Sequence, residues 1–485
     1  KSRSRYRLKG SRWIEEETEF RGQWGITQDD FGRLFYNYNW DQLRGDLVPP
    51  NYFNRNPHHE PSTGINEPVA TNQTVFPIRM NTGVNRGYRP GVLNDQGKLL
   101  AFASACAPLI YRGDQFPEEF HGNAFVCGPG ANIVKRNILV ESKNGLRVSA
   151  KHAYDDSEFL ASTDERFRPV ALSNGPDGAL HIVDMYRGVI QHRDYMTTHL
   201  RDEIVARKLD QPINLGRIYR IVSTEKKPSR SLPLSQADDT ELVHHLSHAN
   251  GWVRDAAQRL LVEREARGVI PSLIALATSE QADKLAGIHA LWTLAGIDVR
   301  GGDAGPQIAG MTMGADPEIR IHAQQVLDSM RKFGGKTTFI NPRSWPNLRE
   351  EHGPRWNLQR ILSSPSVIRT MQFSLLDEGL ARFGEDSLFR DAILSGLEDR
   401  EWRFLHRLWE SGVGQTPTDG NKLILELLAA AVFKSGRSGD IKKLVAMLDD
   451  AAGDFDWRHD AILNGLAVNG AQRGAKPFRL WKEPL

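Results

Sequence analysis

The sequence predicts a multidomain protein in which β structure precedes α structure: a partial β-propeller, then a HEAT-like α-solenoid. Three observations carry this prediction. A glycine-led strand motif recurs in the first half, as GRLFYNYN from Gly32, GNAFVCGPG from Gly122 and GALHIVDM from Gly178. From Asp238 onward, apolar residues fall at helical spacing in short segments, the first of them roughly 30 to 35 residues apart, as in stacked helix pairs. Between the halves, Lys226-Lys227-Pro228-Ser229-Arg230-Ser231 is a polar, proline-containing stretch of linker character. The expected division is therefore 1–223 for the C-terminal part of a propeller, 224–237 for the linker and 238–485 for the helical repeats.

At 485 residues the chain exceeds one ordinary domain. Its 40% hydrophobic and 25% charged residues describe a soluble globular protein with material for a core. With 62 basic against 60 acidic side chains, the formal charge of +2 gives no reason to expect nucleic acid as a partner. Apolar runs are too short for a transmembrane segment in this chain. The start, Lys1-Ser2-Arg3-Ser4-Arg5, has neither an initiator Met nor the apolar core of a signal peptide, and reads as a fragment or processed product.

In the first half, each repeated motif places a glycine turn ahead of an apolar and aromatic strand, as in propeller blades. Three such blades are too few to close a ring. A long irregular stretch from Asp41 to about Asn94, rich in Arg, Tyr, Trp and His, separates the first two motifs and is expected to be an ordered excursion over one face. The third motif lies within Glu165 to Arg193, where Asn174-Gly175-Pro176-Asp177-Gly178 turns into a buried strand ending at Asp184. Met185, Tyr186, Arg187, Gly188, Gln191, His192 and Arg193 follow, a dense polar and aromatic run that marks the first place to look for a site. The same residues also suit a structural role, with Asp184 and Arg187 sealing a sheet edge. A helix is expected over Asp194 to Leu209, and a return strand over Gly216 to Val222.

The helical half opens with Asp238-Asp239-Thr240 ahead of Glu241-Leu242-Val243, an N-cap and acidic first turn. Helical segments then recur from Val253, Leu285, Ile319, Ile368, Phe389 and His459. Such helices bury a core by stacking on their neighbours, which leaves a surface for a protein partner.

His244 and His248 share a helix face at ligand spacing but lack a third ligand, so no metal site is assigned. Asn72-Gln73-Thr74 fits a glycosylation acceptor, a pattern too short to weigh. Arg44, Arg79, Arg86, Arg89, Arg112, Arg168 and Arg187 cluster in loops and at strand ends. They either line a pocket for a planar anion or pair with local acids such as Asp46 and Asp114. The two cysteines, Cys106 and Cys127, are a pair of buried thiols or a cross-strand disulfide. Neither lies in a C-x-x-C-H motif, so no covalent haem is expected in this chain.

The phrases FRGQWGITQDDFGRLFYN, DQLRGDLVP, PIRMNTGVNRGYRPG, PLIYRGDQFP, NGPDGALHIVDMYRGVIQHR and LDQPINLGRIYRIV resemble the membrane-bound dehydrogenase family of large bacterial proteins. That family joins a propeller similar to quinoprotein glucose and sorbosone dehydrogenases to HEAT-like repeats, often with a c-type cytochrome domain. The likeness covers nearly all of residues 1–223 and is weaker beyond. It implies an exported, periplasmic or membrane-associated oxidoreductase acting on a sugar or alcohol, with pyrroloquinoline quinone (PQQ) and calcium as cofactors and a haem domain outside this chain as electron acceptor. The blades that would carry the family's general-base histidine precede Lys1, so no catalytic residue is assigned. From their chemistry, Arg86 and Arg89 would face quinone carboxylates, Asp184 would serve as a metal or hydrogen-bond partner, and Arg187 and His192 would stand at the rim. The rival reading is a silent carbohydrate- or protein-binding propeller with the helices as docking scaffold. Export would also favour the disulfide over two thiols.

Overall fold

The computed structural model describes residues 4–470 except 10–11, 18–21, 280, 299–301, 303, 333–347, 349–351, 368 and 450–455. A hairpin of β1 (Ser4–Lys9) and β2 (Arg12–Glu17) comes first. Three antiparallel sheets follow, none closed on itself. The first holds β3 (Ile26–Gln28), β4 (Leu34–Tyr36), β5 (Arg44–Asp46) and β6 (Glu67–Pro68), with the short helix α1 (Pro50–Phe53) between its last two strands. The second holds β7 (Cys106–Ile110), β8 (Ala124–Gly128), β9 (Ile133–Glu141) and β10 (Val148–His152), and β11 (Leu160–Ala161) returns to pair with the start of β9. The third holds β12 (Pro169–Asn174), β13 (Leu180–Asp184) and β14 (Arg217–Ile221), with α2 (Thr198–Arg207) inserted before its last strand.

The rest is helical: α3 (Asp239–His245), α4 (Gly251–Glu263), α5 (Ile270–Thr278), α6 (Lys284–Ile297), α7 (Gly305–Met311), α8 (Pro317–Lys332) and α9 (Pro354–Leu362). Then come α10 (Arg369–Phe383), α11 (Ser387–Ser395), α12 (Glu401–Glu410), α13 (Asp419–Lys434), α14 (Ser438–Asp449) and α15 (Trp457–Gly470). The layout is thus β, then α. The expected N-cap of α3 is present at Asp238, and the structure makes it reciprocal with Glu241. Of the expected helix starts, Ile368 lies outside the described residues.

The three repeated motifs are β4, β8 and β13, the second strand of each sheet. The glycine before each, Gly32, Gly122 and Gly178, has φ of +75°, +73° and +78°, a turn geometry that a side chain disfavours. The first strands of the sheets lie side by side, β3 against β7 and β7 against β12. Phe35, Leu43, Val69, Ile110, Ala124 and Val148 fill the space between the first and second sheets. Tyr111, Phe125, Cys127, Val134, Leu180 and Ile182 do so between the second and third. Since strands alternate in direction, the connections sort to two ends. The long ones, 69–105, 153–168 and 185–216, gather at the end where β7 and β12 begin and β13 stops.

Compactness divides the chain differently from secondary structure. One unit comprises Arg21–Leu47 and Asn66–Ile308, so the three sheets and α3 to α6 belong together. At the sheet end opposite the long connections, Asp30 accepts from Arg112 Nε at 2.6 Å and from Arg254 Nη2 at 2.5 Å, and Arg112 Nη1 reaches Asp255 at 2.7 Å. Burial works against the Asp30 charge, but the two guanidiniums hold its carboxyl below the usual range. The polar stretch before α3 is tied to the same end: the Ser223 N–H donates to Gln115 Oε1 at 2.6 Å, and the Ser229 N–H to the Asp177 carbonyl at 3.3 Å.

The other unit comprises Lys1–Phe20, Val48–Ile65 and Ala309–Leu485. The expected single excursion over 41–94 is therefore split, because 48–65 has its anchors among the later helices. His59 Nε2 lies 2.8 Å from Asp391 Oδ1, and the Ser62 and Thr63 N–H groups donate to Asp391 Oδ2 at 3.0 and 3.1 Å. Tyr52 donates to Asp328 at 2.8 Å, and Arg55 to the Leu362 carbonyl at 2.7 Å.

Candidate functional site

At the end of the sheets where the long connections meet, a buried arginine sets the frame. Arg168 Nε, Nη1 and Nη2 donate to the carbonyls of Arg187, Pro129 and Gly188 at 3.0, 2.6 and 2.9 Å. Burial brings its pKa down to about 10, and three carbonyl dipoles satisfy the guanidinium without a carboxylate contact. One residue thereby ties the 129–132 turn to the segment that follows β13.

Asp184 closes β13 and is fully buried. Its Oδ1 accepts from the N–H groups of Arg168 at 2.7 Å and Tyr186 at 2.8 Å, which fixes the turn where Tyr186 takes φ +48°. Its Oδ2 is buried without a hydrogen-bond partner. Strand alternation exposes Val183 and Met185 and buries Asp184 between them, and all three border an open apolar cleft of about 310 Å³ that Val170, Gly216, Arg217 and Ile218 complete.

The 82–89 turn is laced to the segment around α2. Asn85 Nδ2 donates to the Tyr195 carbonyl at 2.8 Å, Thr197 Oγ1 donates to the Asn85 carbonyl at 2.9 Å, and Thr82 Oγ1 meets Glu203 Oε2 at 3.1 Å. Tyr88 packs on His199 with ring centroids 5.6 Å apart, and the Arg89 guanidinium sits 5.9 Å from the Tyr88 ring. His192 is exposed, accepts from the Asp194 N–H at 3.3 Å and leans on Tyr195. The structure thus brings the loops of Arg86, Arg89 and His192 together, with Asp184 and Arg187 at the base of the second loop.

Besides Arg168, which is held by carbonyls, the other six arginines of the set separate into two groups. Arg44 pairs with Asp41 at 2.7 Å, Arg79 with Glu165 at 3.2 Å, and Arg112 with Asp30 and Asp255. Among the described residues, Arg86, Arg89 and Arg187 form no ion pair.

Sequence reasoning missed Lys135, His152 and Glu158. Lys135 Nζ lies 3.1 Å from Glu158 Oε1 and His152 Nε2 lies 3.3 Å from Oε2, while the Phe76 N–H donates to Oε1 at 2.9 Å. Phe76 stacks on His152 at 5.3 Å with rings 2° from parallel. Burial lowers Lys135 and raises Glu158, and burial followed by the Lys135 charge brings His152 down to about 4. A neutral imidazole oriented by a carboxylate can accept a proton. The stacked ring and the low exposure make the trio foremost a clamp of the 76 and 158 loops onto the second sheet. The visible signal was Lys135 itself, a charge within the apolar strand IVKRNILVE.

His244, His245 and His248 follow one another at centroid distances of 6.0 and 6.4 Å. Among the described residues, no group of three His, Cys, Asp or Glu is placed to hold a metal ion, and no helix is long and apolar enough to cross a membrane.

Residues 1–225 are similar to a family described as a domain of unknown function (DUF7133). No curated protein and no solved structure matches the chain.

Proposed function

We propose that the chain is part of an exported oxidoreductase similar to quinoprotein sugar and alcohol dehydrogenases, passing electrons to a haem domain outside it. In this reading the three sheets are consecutive blades of a β-propeller and the helices form HEAT-like repeats that dock a protein partner. The observation that carries the reading is the set of cations without ion-pair partners, Arg86, Arg89 and Arg187, gathered with His192 where the long connections meet. Loops converging on one end of a rigid sheet scaffold are where binding sites concentrate.

The residues fit an anionic quinone. Arg86 and Arg89 offer planar, permanently charged forks to its carboxylates, and Arg187 and His192 border the approach. PQQ, when bound, supplies a two-electron acceptor for an alcohol carbon. Asp184 positions the loop that carries Arg187. Calcium fits less well, since the described residues offer no cluster of carboxylates around Asp184, and no step is assigned to it.

A second reading, a non-catalytic carbohydrate-binding platform, has its own support. Trp24 and Trp40 are 60% and 65% exposed at this end of the first sheet. Gln23 joins their loops, its N–H donating to the Asn37 carbonyl at 2.9 Å and its Oε1 accepting from the Asn39 N–H at 3.0 Å. Exposed aromatic faces of this kind mark binding surfaces. The two readings separate in one assay, in which the protein in its longest natural form is loaded with PQQ, with and without calcium, and offered sugars and alcohols with an artificial electron acceptor. Quinone-dependent acceptor reduction supports the oxidoreductase; glycan binding without turnover supports the platform.

A further inference from the structure

Cys106 and Cys127 are partners in the register of β7 and β8, at the edge of an irregularity in β7 between Cys106 and Leu109. Directly opposed residues of an antiparallel pair have Cα atoms about 4.5 to 5.5 Å apart. A disulfide spans Cα separations of about 4.4 to 6.8 Å, a range that includes the spacing of paired residues on neighbouring antiparallel strands. Both are thiols in the structure. Cys127 is fully buried among Tyr111, Phe125, Val134, Leu180 and Ile182. Cys106 is half-buried, with its Sγ 3.8 Å from the Pro169 carbonyl of β12.

We propose that Cys106 and Cys127 are a covalent modification site, a cross-strand dithiol that an organic disulfide converts to a protein disulfide. The order of events follows from access. The Cys106 thiolate attacks one sulfur of the organic disulfide, forming a mixed disulfide and releasing the first small thiolate, which takes up the proton that Cys106 lost. Cys127 then gives up its proton and attacks Cys106 Sγ, forming the intramolecular bond and expelling the second small thiolate, which that proton neutralises. Two protein thiols are oxidised and one organic disulfide is reduced to two thiols. Burial and the neighbouring Cys106 push the Cys127 thiol up, which suits it to resolving a bond already beside it and not to meeting the oxidant first. The closed bond would staple β7 to β8 where the second sheet meets the third.

The test is to equilibrate the folded chain with reduced or oxidised glutathione, then count thiols by alkylation in denaturant and map the peptides. The expected result is two thiols in the reducing buffer and none in the oxidising one. A single linked peptide pair joins residues 106 and 127, and reductant restores both thiols. Cys127→Ser should stop at a glutathione adduct on Cys106, and Cys106→Ser should leave Cys127 unmodified until the chain is unfolded. Two thiols persisting in oxidised glutathione would overturn the proposal, as would a stable glutathione adduct on wild-type Cys106 or disulfides formed between chains.

Discussion

Lys135 places an ammonium inside β9 with a side-chain exposure of 1%, against a Glu158 side chain exposed at 0%. Removing one member of such a pair strands the other charge in the interior. Lys135→Met should therefore destabilise the fold by about 3 to 5 kcal/mol, whereas Lys135→Met with Glu158→Gln should recover much of that loss. Urea unfolding of the two variants measures the difference, and equal destabilisation would contradict the pairing. His152 adds a pH dependence. Its folded pKa of about 4 lies below the ordinary histidine value of 6.5, so the unfolded chain binds more protons between those values. Stability from this group is full above about pH 6.5 and is lost as pH falls through 4. The melting temperature should rise with pH across that window, and His152→Gln should flatten the rise. At this scale the sequence exposed the candidates without their partners. The seven arginines look alike in a line of text; only the fold pairs Arg112 with Asp30 and Asp255 while Arg86 and Arg89 form no ion pair among the described residues. Glu158 becomes the partner of Lys135 because a strand return brings β11 back to β9.

Among the elements, the strands led by Gly32, Gly122 and Gly178 were legible because their signal is local. A left-handed turn needs glycine, and the apolar strand follows at once. Gly122 tests this cleanly, since a Cβ there would meet no atom within 4 Å and any cost must come from the backbone. Gly122→Ala should destabilise by about 1 to 2 kcal/mol. An unchanged urea midpoint would contradict the turn assignment. The 48–65 segment was not legible, because its anchor Asp391 lies 332 positions after His59 and no local pattern announces such a bond. Asp391→Ala removes the acceptor that the half-buried segment shares through the Ser62 and Thr63 N–H groups, a loss of about 1 kcal/mol for each hydrogen bond. The same substitution should open 48–65 to proteolysis, while cleavage within 69–105 stays unchanged.

For the molecule as a whole, the order β then α was readable from the change of hydrophobic period, but the compact units were not. The sheets share a unit with α3 to α6 through ion pairs such as Arg254 with Asp30, and composition carries no trace of them. The third sheet is the outlier in surface chemistry. Val183 and Ile218 face each other across β13 and β14 at 37% and 70% exposure, and among the described residues β14 pairs on one side only. An apolar face beside an unpaired strand edge invites association. Replacing both residues with lysine should lower light scattering on concentration while leaving the unfolding free energy within about 0.5 kcal/mol of the parent. The proposal that the gathered loops hold an anionic quinone is open to equilibrium titration of PQQ into the chain and into Arg86→Ala/Arg89→Ala. The claim predicts saturable binding to the parent and its loss in the double variant with the melting temperature unchanged; no binding to the parent, or equal binding to both, would contradict it.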